Sequence, residues 1–293
     1  MRLSTRASAV AVLATALGVS LLAPGAAQAQ NTVESSSGDR VHGMGFDAAA
    51  ANAAHANAPQ GIKVHGNPQA VHTLAAAPAS YSLKQYAMAP GDQGQVGSCV
   101  AWATGYTGIG LLANEQGKTG QPFAPMFIYA QIAKGNDQGT WASVALPMER
   151  DQGIDTKAHY WQGSFDYTTQ PDAAERANAL QYRISGFTDL TNAADRKAAI
   201  MQAISSGLPV PIGFSVRESF RNLNTTNYVY NPKKSERKIG GHEVTIVGYD
   251  SYGVEIENSW GANWGNKGYF IMPWSVVTSR DVDEVHSIGR IIA

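Results

Sequence analysis

Asn192-Ala193-Ala194-Asp195-Arg196-Lys197-Ala198-Ala199-Ile200-Met201-Gln202-Ala203-Ile204-Ser205-Ser206-Gly207 runs directly into Leu208-Pro209-Val210-Pro211-Ile212-Gly213-Phe214-Ser215-Val216. The hydrophobic period changes between the two. In the first stretch Ala199, Ile200, Ala203 and Ile204 share one helical face, with Asn192 placed to cap the helix and Gly207 to end it. In the second, Val210, Ile212, Phe214 and Val216 alternate, which predicts a strand. Upstream the helical period prevails. Cys99 to Leu112 carries Val100, Ala103, Thr104, Thr107 and Leu111 at helical spacing, and Phe123–Lys134 and Ser143–Asp151 are further helices, the latter stopped by Gly153. Downstream the period is two, at Val244 and Ile246 and then at Val254, Ile256 and Asn258. Helices first and strands second, without β-α-β alternation, predict an α+β fold with segregated parts. No internal repeat interrupts this order.

The 293 residues are 44% hydrophobic and only 15% charged, below the roughly 25% of an average domain. Lysine and arginine number 22 and acidic residues 23, a formal charge of −1 that gives no general attraction to nucleic acid or an anionic membrane. One cysteine excludes an intramolecular disulfide framework and any cysteine-based zinc or iron–sulfur site.

Residues 1–29 read as a secretory signal. Arg2 and Arg6 precede an apolar run from Ala9 to Leu22, and Ala27-Gln28-Ala29 supplies a small-x-small cleavage pattern before Gln30. The run is shorter than the roughly 20 residues of a spanning helix. Its removal leaves 20 basic against 23 acidic residues, so the expected product is secreted, carries a charge of −3 and has no membrane partner. Residues 30–79 are rich in Ala, Asn, His, Gly and Ser and show no sustained period. Such a segment buries too little to offset its chain entropy, and it reads as a low-complexity pro-segment or linker. His42, His55, His65 and His72 lie here at spacings of 13, 10 and 7. Those spacings match no ordinary ligand pattern, so no metal is expected.

Cys99 follows the loop Gln93-Gly94-Gln95-Val96-Gly97 and opens a predicted helix. A helix N-terminus favours a thiolate, and Gly97 and Ser98 leave room for a substrate. A thiolate nucleophile needs a proton carrier and an orienter for that carrier. His242, 143 residues on, has the inward parity of Val244 and Ile246, and Asn258 has that of Val254 and Ile256. Each alone suits a satisfied core polar group; together with Cys99 they suit catalysis.

Three blocks carry a family resemblance: Asp92-Gln93-Gly94-Gln95-Val96-Gly97-Ser98-Cys99-Val100-Ala101-Trp102; Gly241-His242-Glu243-Val244 with Val247-Gly248-Tyr249; and Ile256-Glu257-Asn258-Ser259-Trp260-Gly261 with Trp264-Gly265 and Gly268-Tyr269. In order and separation they resemble papain-like cysteine peptidases over residues 80–293. The resemblance implies two subdomains, a helical N-terminal half and a β-rich C-terminal half, with the active site in the cleft between. It makes Cys99 the nucleophile, His242 its acid/base and Asn258 the orienter of the imidazole. It also makes Trp260 a shield for the His–Asn bond and Gln93 a partner of the Cys99 N–H in the oxyanion hole. Gly139 would pair with substrate backbone, and Glu243 would lie near the pocket for the substrate's second residue before the cut.

This chain departs from the family pattern in several places. Val96 stands where many relatives carry a disulfide cysteine, Val100 replaces the usual Trp, and Glu243 replaces a small residue. Residues 30–79 lack the long amphipathic helices of the family's inhibitory propeptides. The expected function is a secreted cysteine endopeptidase acting on protein or peptide substrates, without cofactor, with an inhibitory pro-segment in cis as a further expected partner. A cell-wall peptide amidase or transpeptidase on the same scaffold, and a non-catalytic papain-like binding module, are the alternatives.

Overall fold

The computed structural model describes residues 42–70 and 76–292. The signal reading for 1–29, the start of the pro-segment and His72 lie outside them. The helical half is built first. Its main element, α2, is one continuous helical run: α-helical over Cys99–Ala101, π-helical over Trp102–Ile109 and α-helical again over Gly110–Glu115. It sits with the helices Pro125–Ala133 and Ala142–Asp151 in the places expected from the sequence. The first has Pro125 in its opening turn, and Lys134 closes it in the left-handed region. The helix over Arg196–Ser205 starts later than expected. Asp195, not Asn192, caps it, its side chain accepting from the Ala198 N–H at 2.9 Å, because Leu190–Ala193 close a turn of their own.

The β half is one antiparallel sheet. Its strands are β1 (Lys63–Gly66), β2 (Tyr81–Ser82), β4 (Gly186–Asp189), β5 (Val210–Arg217), β6 (Lys238–Tyr249), β7 (Gly253–Glu257), β8 (Tyr269–Pro273) and β9 (Val282–Ile288). They run β1-β4-β9-β5-β6-β7-β8, with β2 also on β6. A small separate pair joins β3 (Arg183–Ile184) to β10 (Ile291–Ile292). The α+β, papain-like architecture is as expected. The centre of the sheet is buried throughout: β6 from His242 onward and all of β9 are closed to solvent. Parity therefore does not separate an inner from an outer face there.

Residues 42–66 are more ordered than their composition suggested. Ala48–Ala56 form helix α1, capped by the Asp47 side chain, and β1 pairs with β4 through Lys63↔Asp189 to Gly66↔Gly186. A segment this poor in large apolar residues holds no core of its own; the sheet supplies the missing partner surface.

Candidate active site

Cys99 begins α2 and is fully buried. The Gly45 N–H donates to its Sγ at 3.3 Å. Burial pushes the thiol up to about 12, against the backbone N–H groups of Gly45, Glu243 and Val100, which favour the anion. The expected thiolate is therefore not the form present here. Desolvation outweighs the helix N-terminus.

The Glu243 N–H reaches that sulfur from β6, and the residue before it is His242. His242 Nε2 lies 2.7 Å from Asn258 Oδ1, and Asn258 sits just beyond the end of β7. Nδ1 of the same ring is buried with no hydrogen-bond partner. Trp260 packs over the ring at 4.8 Å between centroids. Phe214 and Phe220, which the sequence did not single out, close the box at 6.3 and 5.9 Å. Burial in this aromatic box holds the imidazole down to about 4, the Asn258 bond opposing.

Gln93 is buried beside this group. Its Oε1 accepts from the Ser259 hydroxyl at 2.6 Å, next to Asn258, and its amide donates one hydrogen to Val96 O at 2.9 Å. The second amide hydrogen remains for another acceptor. Gly139 has φ +75 and lies against the backbone of Gly45, and its N–H donates to Tyr129 Oη at 3.0 Å. The Tyr129 hydroxyl in turn bonds Asp137, whose carboxylate takes the Gly97 N–H at 3.1 Å. This carboxylate, missed in the sequence, ties the loop before Cys99 to the glycine loop in a chain without a disulfide.

Glu243 is fully buried, and its charged neighbours are the carboxyls of Glu284 and Glu149 rather than any cation. Desolvation and the Glu284 carboxyl push its pKa well above the ordinary range. Glu284 caps the helix Ala142–Asp151, accepting the Ala142 N–H at 2.6 Å.

A strap crosses all of this. His42 stacks on Trp260 at 4.9 Å with the ring planes 9° apart. Gly43 donates to Gly94 O at 2.8 Å, Phe46 to Gly241 O at 3.2 Å, and Asp47 to Thr140 O at 2.9 Å, while Thr140 donates to Gly45 O at 2.8 Å. Met44 and Phe46 are buried. The strap lies so close that a Cβ on Gly45 would meet Gly97 O at 1.8 Å, and one on Gly43 would meet Val96 O at 2.3 Å. Phe46 fills the space beside Gly213, where its ring and Glu284 are neighbours. The sulfur faces the N–H edge of a strap peptide. Nucleophilic attack needs the face of a carbonyl, so this peptide is not in position to be cut.

Comparison with known proteins assigns the family. A family model described as papain family cysteine protease matches residues 78–286. The chain belongs to that family. It is 30% identical over 206 residues to an uncharacterized peptidase C1-like protein of Acanthamoeba polyphaga mimivirus, covering 65% of this chain and 66% of the viral protein. It is 26% identical over 199 residues to digestive cysteine proteinase 2 of Homarus americanus, covering 62% and 56%. The chain thus spans about two thirds or less of these relatives. Among solved structures, xylellain, a cysteine protease from Xylella fastidiosa, superposes with a TM-score of 0.64 at 23% identity, over 80% of this chain and 98% of xylellain. Bromelain from Ananas comosus gives 0.58 at 18% identity, over 73% and 99%.

Proposed function

We propose that this chain is the closed precursor of an exported thiol endopeptidase that acts through Cys99, His242 and Asn258. The observation that carries the reading is the buried His242–Asn258 bond of 2.7 Å under Trp260, on the strand whose next N–H reaches the Cys99 sulfur. With the strap displaced, the Cys99 thiolate attacks the carbonyl carbon of a bound peptide. The carbonyl oxygen takes the electron pair, facing the Cys99 N–H and the free amide hydrogen of Gln93. Protonated His242 gives its proton to the leaving amine, and the C–N bond breaks to an acyl-enzyme. His242 then takes a proton from water, whose oxygen attacks the thioester carbon and releases the acid and the thiolate. Asn258 Oδ1 keeps the imidazole oriented through both halves.

Residues 42–46 are the inhibitory segment in this reading, supported by the N–H edge that Gly45 presents to the sulfur. Gly139 and Thr140 bind the backbone of substrate once the strap has left. Glu243 and Glu284, below the place of Phe46, tolerate a basic side chain two residues before the cut. Profiling Glu243→Ala against basic and apolar substrates tests that point, and an unchanged preference removes it. Export is tested by the N-terminus of the protein recovered outside the cell, expected at Gln30.

The deciding experiment incubates full chain, freed of its strap by limited proteolysis, with casein and with peptidoglycan fragments. Casein cleavage that Cys99→Ala lacks supports the endopeptidase. Cleavage of the fragments alone selects the cell-wall amidase, and binding of either without turnover selects the binding module.

A further inference from the structure

Behind the cleft, α1 and the outer part of the sheet bring together His55, Asp189, Glu284 and His286. One ligand atom from each of His55, Glu284 and His286 lies within 4.8 Å of the others. His55 comes from α1, and Glu284 and His286 come two residues apart on β9. Asp189 of β4 stands opposite His286 in register and lies 3.2 Å from His55 Nε2.

One of these side chains carries a polar atom with nothing to satisfy it. His286 Nδ1 is buried without a hydrogen bond, 3.9 Å from Glu284 Oε2, and the Glu284 carboxyl also meets that of Glu243. Leaving a buried polar atom unpaired is costly, and an unpaired imidazole nitrogen facing a carboxylate points to a missing common partner. The other nitrogen of each imidazole is already engaged. His55 Nδ1 lies 2.7 Å from Ala51 O, and His286 Nε2 lies 3.4 Å from the Ser143 hydroxyl. Metal-binding histidines hold their second nitrogen in this way, which fixes the ring and leaves one lone pair facing the ion. The other Glu284 oxygen is likewise held, by the Ala142 N–H.

We propose that His55 Nε2, His286 Nδ1 and Glu284 Oε2 form a zinc-class site that fastens α1 to the sheet, the ion displacing the Asp189 contact with His55. Two imidazoles and a carboxylate suit Zn²⁺, with a water in the fourth position. Bonds of about 2.0–2.1 Å place tetrahedral ligands roughly 3.3 Å apart, so ligand atoms up to 4.8 Å apart close by up to about 1.5 Å on binding. The histidine spacings along the chain gave no sign of this, because a single one of the four early histidines joins two residues more than 200 positions later. The ion would act on the segment that continues into the strap: α1 begins two residues after Phe46, and Asn52 of the same helix bonds Asp283 on β9. The site stands independently of inhibition, since zinc affinity is measured on a chain without its thiol.

The test uses full chain carrying Cys99→Ala, so that no zinc is taken by the thiol and no self-cleavage occurs. After dialysis against a chelator it is titrated calorimetrically with ZnCl₂. One ion per chain is expected, with His55→Ala weakening the affinity at least tenfold and His159→Ala leaving it unchanged. Because His286 is fully buried inside the sheet, His55, which retains some exposure on α1, is the variant of choice, and circular dichroism verifies its fold. With Co²⁺ as probe, the intense visible bands of a four-coordinate site should appear and vanish in His55→Ala. No saturable binding, or binding indifferent to His55→Ala, overturns the site. At zinc concentrations 100-fold above the dissociation constant, the docked segment is favoured about 100-fold, so trypsin cleavage at Lys63 should slow accordingly. Binding without that protection overturns the fastening role.

Discussion

Gly45→Ala is expected to open the cleft without touching the catalytic groups. The new Cβ would stand 1.8 Å from Gly97 O and 2.2 Å from Gly97 C. Both atoms are backbone, in a loop tied down by Asp137, so the strap and not the loop must move. Moving it breaks both Gly45 bonds, to Sγ and from Thr140, and strains the Phe46→Gly241 bond. Two lost hydrogen bonds cost about 2 kcal/mol, and overpacking adds about 1–3 kcal/mol. A total of about 3–5 kcal/mol shifts the closed-to-open ratio by about 10² to several times 10³ at 1.4 kcal/mol per tenfold. The assay is iodoacetamide labelling of full chain at neutral pH, read by mass spectrometry at the single cysteine. When the strap opens and recloses faster than the reagent reacts, the rate follows the open fraction, so the variant should label at least 100-fold faster than the parent. A rate within threefold of the parent would refute the reasoning, because the strap would then not be what covers the sulfur.

Other outcomes follow from the same geometry. Cys99→Ala and His242→Ala should each abolish peptidase activity, and the double variant should lose no more, because the pair acts as one unit; Gln93→Ala should lower kcat with KM nearly unchanged. Burial pushes the closed thiol up to about 12, so the parent chain should label slowly from pH 5.5 to 10, whereas Gly45→Ala should already label at pH 5.5; a parent profile rising near pH 8.5 would mark an ordinary exposed thiol. Glu257→Gln tests a buried carboxyl that takes hydrogen bonds from Tyr269 and Thr107 and that burial raises to about 7. Since the folded value exceeds the ordinary one near 4.3, the ionisation penalty is absent below about pH 4, grows with pH and is complete above about 7. The variant should thus match the parent at pH 4 and exceed it by up to about 3 kcal/mol at pH 8, and thermal melts giving the same difference at both pH values would exclude the effect.

The proposed catalytic set was legible because its chemistry leaves a pattern in the chain. A lone cysteine after a glycine-rich loop, a histidine in an alternating stretch, an asparagine at the end of another, and a tryptophan beside the asparagine are recognisable at any separation. The helices at 125–133 and 142–151 were legible from their period. β9 was not: Val282, Asp283, Glu284, Val285 and His286 are all buried, so no polar face marks the strand. The same double coverage explains Glu243, whose alternation away from His242 led not to solvent but to another carboxyl. The strap left the faintest trace. Its docking rests on backbone hydrogen bonds and on glycines whose value is the absence of a side chain. Only Met44 and Phe46 flanking Gly45, two large apolar residues in an Ala- and Asn-rich stretch, signal that something there is meant to be buried.

The proposed switch between inert and reactive forms needs no movement of the catalytic residues. In the closed form the thiol stands at about 12 and the imidazole at about 4. Transferring a proton from one to the other is then strongly uphill before their mutual attraction is counted. At ordinary values near 8.5 and 6.5 the same transfer costs only about 3 kcal/mol, which an adjacent helix N-terminus and the attraction of the pair can offset. His42, Met44 and Phe46 exclude water from the site together with Trp260, Phe214 and Phe220. A strap that merely blocked substrate would leave a reactive thiolate beneath it, open to oxidation. One that also dries the site keeps the sulfur as a neutral thiol, which matters in a chain whose only cysteine has no disulfide partner. The strap is therefore expected to protect the sulfur as well as to close the cleft, and dilute hydrogen peroxide should oxidise Cys99 in Gly45→Ala far faster than in the parent chain.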